Sequence, residues 1–134
     1  MRPLKIILLC FFTLNFGYHS PAQTFSGIPD GIIAAITQGD ANRLSLYLGT
    51  NVELVISNKN DVYSKQQAVK IIADFFRENS VKNFQILHSS AKDASGFAIG
   101  RLETSKGSYR AYILTRKNKD KLLIQQLRVE QSNE

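Results

Sequence analysis

A histidine inside an alternating strand-like run is a candidate proton carrier, and this chain has one at His88, within residues 83–90. Phe84, Ile86 and His88 recur at a period of 2, which puts them on one face of a strand. If that face is inward, His88 is semi-buried. There an imidazole can serve as a general base or as a donor to a ligand. The same placement equally suits a structural imidazole that bridges strand and helix by hydrogen bonds. His19 is the only other histidine, and no HxH, HxxxH or HExxH spacing exists. The sequence therefore assigns no metal site.

A second group can recognise an anion. Arg110, Tyr112 and Leu114 share a face of one strand-like run. In the last run, Leu122, Ile124, Gln126 and Arg128 alternate with Leu123, Gln125, Leu127 and Val129. If the two runs pair, Arg110, Tyr112, Gln126 and Arg128 form a cationic, hydrogen-bonding patch suited to a carboxylate or phosphate. A solvated outer face with cross-strand polar pairs is the alternative. The strand carboxylates Glu53, Glu103 and Glu130 show no spacing that suggests an acid–base dyad. Asp74 can anchor a strand arginine. The densest basic run, residues 116–121, reads as an exposed hairpin tip, with anion binding as its other reading. No glycine-rich phosphate loop is present, and no cofactor is expected.

These side chains must be positioned by a small set of elements. Pro29 and Asp30 suit a helix start, and Ile32, Ile33, Ala35 and Ile36 give an apolar stripe ending near Gly39. Asp40 can cap a shorter helix through Leu48. Residues 52–57 alternate like a strand, and residues 58–61 read as a turn. Ser64 and Gln67 form a capping box ahead of a long helix with Val69, Ile72 and Phe76 on one stripe and Phe75 beside it. After Lys82 the period changes to 2. Strands are expected over residues 83–90, 96–104, 108–116 and 121–130, joined by hairpin-length turns. Gly100 inside a strand suggests a bulge or bend. A sheet with one apolar face must bury it, and the helices are the available cover.

The expected fold is therefore α+β: a curved antiparallel sheet wrapped over a long helix, in the order α-α-β-α-β-β-β-β. That order resembles the nuclear-transport-factor-like (cystatin-like, SnoaL-like cone) superfamily over residues 23–134. Local wording is more specific. Tyr63-Ser64-Lys65-x-Gln67-Ala68, Asp74-Phe75-Phe76, Ile86-x-His88, Gly107-x-Tyr109-Arg110 and Ile124-Gln125-Gln126-Leu127-Arg128 look like one exported bacterial family within it. That family is known only as a domain of unknown function. Among cone-shaped relatives, the resemblance implies an acid–base pair deep between sheet and helices in isomerases, dehydratases and cyclases.

Residues 1–22 read as an export signal. Arg2 and Lys5 precede an apolar stretch over residues 6–14, and Ser20-Pro21-Ala22 offers small residues at the cleavage positions. The stretch is far short of the about 20 residues needed to span a bilayer. Cleavage after Ala22 leaves one domain over residues 23–134, with residues 23–27 as a short mobile terminus. It removes Cys10, the only cysteine, so neither disulfide nor thiolate chemistry is expected. Leu9 before Cys10 does not suit lipid attachment. Loss of Arg2 and Lys5 lowers the formal charge from +6 to +4. That mild excess does not point to nucleic acid.

The leading expectation is an exported, non-enzymatic module in the periplasm or outside the cell. It would bind a small molecule or an envelope protein through the mouth or sheet face of the cone. An isomerase-, dehydratase- or cyclase-like enzyme with His88 and a tyrosine is the second reading, and a homodimerising envelope module the third.

Overall fold

Caps, breakers and apolar spacing explain where each helix begins and ends. The computed structural model describes residues 27–133; the expected export signal and its cleavage site lie outside the described residues. Helix α1 (Asp30–Gln38) starts after Pro29 and stops at Gly39, which takes the left-handed conformation at φ 62°. Helix α2 (Ala41–Ser45) is capped by Asp40, whose Oδ1 accepts the Arg43 backbone N–H at 3.0 Å. It is shorter than expected, because the chain from Leu48 onward already extends into a strand. Helix α3 (Lys65–Glu78) carries the expected capping box. The Gln67 N–H donates to Ser64 Oγ at 3.3 Å, and the Ser64 N–H donates to Gln67 Oε1 at 3.4 Å. Its fully buried stripe is Ala68, Ile72 and Phe75, so Val69 and Phe76 are the flanks rather than the centre. No helix among the described residues is long and apolar enough to cross a membrane.

Six strands form one curved sheet: β1 (Leu48–Ile56), β2 (Lys59–Ser64), β3 (Val81–Lys92), β4 (Ser95–Thr104), β5 (Gly107–Asn118) and β6 (Lys121–Gln131). Their spatial order is β2-β1-β6-β5-β4-β3. The β1–β6 pair is parallel and the other pairs are antiparallel. Strand β2 corrects the sequence reading, which took residues 58–61 for a turn. The turn is only Ser57-Asn58, and Lys59 already pairs with Ile56. Lys59-Asn60-Asp61-Val62 lacks an apolar alternation because it is an edge strand, mostly exposed, where charged residues discourage pairing with other chains.

One face of the sheet is dry. Leu54, Ile56, Ala98, Leu102, Ala111, Ile113, Ile124 and Leu127 are buried there against Ile32, Leu44 and Ile72 of the helices. Helix α1 lies against β3, α3 lies against β1 and β2, and α2 bridges α1 and α3. Buried polar groups on this side are satisfied, as burial requires. Asn79 accepts the Tyr109 hydroxyl at 2.9 Å and donates to the Phe75 carbonyl at 3.0 Å. The Phe75 and Tyr109 rings meet edge to face at 5.2 Å. Thr115, fully buried, donates to the Gly27 carbonyl at 2.6 Å. Gly27, expected to belong to a mobile terminus, is therefore pinned to the sheet. A methyl on Gly96 would stand 2.1 Å from that carbonyl oxygen.

Gly100 plays a packing role that the sequence only hinted at. The bulge lies on the facing strand: Ile86 pairs with Gly100 and His88 with Ile99, leaving Leu87 unpaired. A methyl on Gly100 would come within 2.3 Å of the Phe84 ring, which lies over the glycine. Gly100→Ala is expected to lower stability by about 1–3 kcal/mol through overpacking. Phe84→Leu in the same chain should recover part of the loss. Urea denaturation of the two variants measures both effects, and an unchanged midpoint for Gly100→Ala would refute the contact.

Candidate functional site

Arg110, Tyr112, Gln126 and Arg128 come from two neighbouring strands, β5 and β6. Tyr112 faces Arg128 directly across β5 and β6, Arg110 faces Glu130, and Leu114 faces Gln126. Their neighbours on the same strands, Ala111, Ile113, Leu127 and Val129, are buried on the dry face. Arg110, Tyr112, Gln126 and Arg128 therefore all project from the opposite, outer face, each half-buried.

The register extends this group into rows across the sheet. One row runs His88, Ile99, Tyr112, Arg128 and Val55, from β3 to β1. A second runs Phe97, Leu114, Gln126 and Glu53, and a third runs Arg101, Arg110 and Glu130. Phe97, Ile99, Tyr112 and Leu114 stand outside the hydrophobic core. They make an apolar centre on the outer face, with charged and amide groups of both signs around it. Arg128 reaches Glu130 at 3.4 Å, with both side chains more than two-fifths exposed. Such a pair contributes at most about 1 kcal/mol and can exchange partners.

His88 is not where the alternation of Phe84 and Ile86 put it. The extra residue Leu87 shifts the phase by one, so His88 faces Ile99 on the outer side and is exposed. It bridges no helix and faces no interior cavity. Glu53, Glu103 and Glu130 are likewise exposed. Asp74 pairs with its helix neighbour Arg77 at 2.7 Å rather than with a strand arginine. The acid–base arrangement that the cone fold suggested thus loses its candidate base.

A second bulge corrects the grouping on β6. Thr115 pairs with Ile124 and Leu114 with Gln126, which leaves Gln125 as the extra residue. Ile124 therefore belongs to the dry face and Leu123 to the outer one, the reverse of strict alternation. Sequence reading missed the apolar centre formed by Phe97 and Ile99. The signals for these two of the bulges were adjacent like residues within alternating runs: Ile86-Leu87, and Gln125-Gln126.

Two grooves flank this part of the fold. One of about 550 Å³ is bordered by Pro29, Leu46, Tyr47 and Leu122. Another of about 230 Å³ lies between β1 and the β5–β6 hairpin.

Comparison with known proteins gives one family. The family described as "Domain of unknown function (DUF4783)" matches residues 29–130. A crystal structure of a DUF4783 family protein from Bacteroides ovatus is 35% identical, with a TM-score of 0.77, covering 81% of this chain and 98% of its own. One from Bacteroides uniformis is 36% identical, with a TM-score of 0.77, covering 80% and 99%. A bacterial protein with a cystatin-like fold from Silicibacter pomeroyi is similar in fold alone, at 12% identity and a TM-score of 0.59, covering 81% and 77%. No curated protein matches the chain.

His88→Gln is expected to change stability by no more than about 0.5 kcal/mol, as befits an exposed residue without a buried partner. A loss above about 1.5 kcal/mol in urea denaturation would restore a structural role.

Proposed function

Because this chain belongs to the DUF4783 family, whose description assigns no activity, we propose a function from geometry: an exported, non-catalytic module that docks a partner protein. The observation that carries this reading is the outer sheet face. It presents half-buried Ile99, Tyr112 and Leu114 beside Arg110, Gln126 and Arg128, on a surface that the helices leave uncovered. Aromatic and arginine side chains around an apolar centre are the composition that protein interfaces favour. The dry face is filled by side chains such as Ile32, Leu102 and Ile113. That favours a surface-bound partner over a small molecule enclosed in the cone.

Export is part of the proposal and rests on Arg2, Lys5, the apolar residues 6–14 and Ser20-Pro21-Ala22. One domain over residues 23–134 is then the functional unit. Cell fractionation followed by N-terminal sequencing should recover the protein outside the cytoplasm, beginning at Gln23. An intact Met1 in the cytoplasm would refute export.

A photoreactive residue at position 112 should crosslink to a discrete partner in the envelope. The same residue at Lys70, exposed on helix α3, should not, and Arg128→Glu should reduce the position-112 product at least fivefold. Equal crosslinking from both positions, or none from position 112, would overturn the docking face.

A homodimer through the same face is favoured by one observation: its rim carries both signs, with Arg110 and Arg128 alongside Glu53 and Glu130. A two-fold contact can pair such groups reciprocally. Light scattering separates the readings. A monomer leaves the face for a different protein, whereas a dimer that Ile99→Asp splits assigns it to self-association.

A further inference from the structure

We infer that the recess between β1 and the β5–β6 hairpin binds the phosphate group of a small soluble phosphomonoester. The site is independent of the docking face and is created by a mismatch in the parallel ladder. Leu48 pairs with Ile124, and the next pair is Glu53 with Gln126. Four residues of β1, from Gly49 to Val52, therefore stand against Gln125 alone. Gln125 is also the residue skipped in the β5–β6 ladder. Two adjacent ladders thus open at one point.

The resulting recess holds about 230 Å³ and is bordered by Gly49, Asn51, Arg116, Lys117, Asn118 and Gln125. That is smaller than the roughly 300–1,000 Å³ of sites that enclose a whole drug-sized ligand, so it takes an end group. Leu123 and Ile124 form the apolar part of its lining, and its polar part carries two cations, three side-chain amides and no carboxylate. Lys119 and Lys121 at the hairpin tip add positive charge, and Asp120 offsets one of them. Arg116 and Lys117 make no ion pair or side-chain hydrogen bond among the described residues. Gly49 lets the backbone close on β6, since a methyl there would stand 3.3 Å from the Ile124 carbonyl oxygen.

The donor set selects phosphate over carboxylate. A guanidinium offers five N–H donors, an ammonium three and each amide two, so Arg116 with the amides around it can supply the three terminal oxygens of a phosphomonoester. Two cations also match its charge of nearly −2 at neutral pH. A carboxylate would use fewer of these donors and neutralise only one cation.

The test is a titration of the isotope-labelled protein with glycerol 3-phosphate at low ionic strength, followed by amide resonances. Saturating shifts are expected at Gly49, Asn51 and Gln125. Arg116→Gln should weaken binding at least tenfold, and Lys106→Gln, in the hairpin at the other end of β5, less than twofold. Acetate should bind at least tenfold more weakly, and added salt should weaken the phosphate complex. Absence of saturation, equal loss in Lys106→Gln, or equal affinity for acetate would overturn the site. Binding confined to vesicles of phosphatidylglycerol and phosphatidylcholine would overturn it too, by assigning the cations to a lipid surface.

Discussion

Burial of α1 and α3 against one side of the sheet leaves each strand side chain only two places to go, because strand side chains alternate with a period of 2. Which side each residue takes decides what it can contact. The dry side accepts polar groups only with partners, and Asn79, Tyr109 and Thr115 each have one. Their hydrogen bonds are committed to holding the fold: Asn79 ties the end of α3 to β5, and Thr115 ties Gly27 to the sheet. Polar side chains without such a task are displaced to the outer face. Arg110, Tyr112, Gln126 and Arg128 are there for that reason as much as for any ligand.

The helices and most strands were legible because their signals are local. Ser64 and Gln67 announce α3 by satisfying the same backbone donors that the structure shows satisfied. Gly39 ends α1 because a left-handed residue is needed there. The hairpins joining β3 to β6 follow from short polar turns between alternating runs. Strand β2 was not legible, since an edge strand need not bury a face. Its residues carry pairing with β1 rather than an apolar pattern.

The phase of a strand is less local than its existence. Leu87 and Gln125 each add one residue to one strand of a pair, and each reverses the side taken by the residues beyond it. Strict alternation therefore grouped His88 with Phe84 and Ile86, when Ser89 is the residue that lies opposite the buried Ala98. The same rule grouped Ile124 with Gln126. Arg110, Tyr112, Gln126 and Arg128 share one face because Gln126 and Arg128 lie beyond the bulge on β6, and because β5 alternates without interruption from Arg110 to Leu114. Correct grouping needed only an unbroken stretch on each strand, not the correct phase of the whole element.

The bulges at Leu87 and Gln125 also help to explain why side chains fill the space between sheet and helices. A bulge increases local twist and bends its strand. With bulges on β3 and β6, the sheet curves over α1 and α3, and large side chains from both layers fill the space between them. Gly100 lets the Phe84 ring lie flat at the bend, where any larger residue would hold the strands open. Closing the interior in this way costs the sheet its regular ladder at Gln125, where β1, β5 and β6 fall out of step together. Arg116 and Lys117 border that point. The irregularity on β6 that helps to curve the sheet is thus the same one beside which the recess lies.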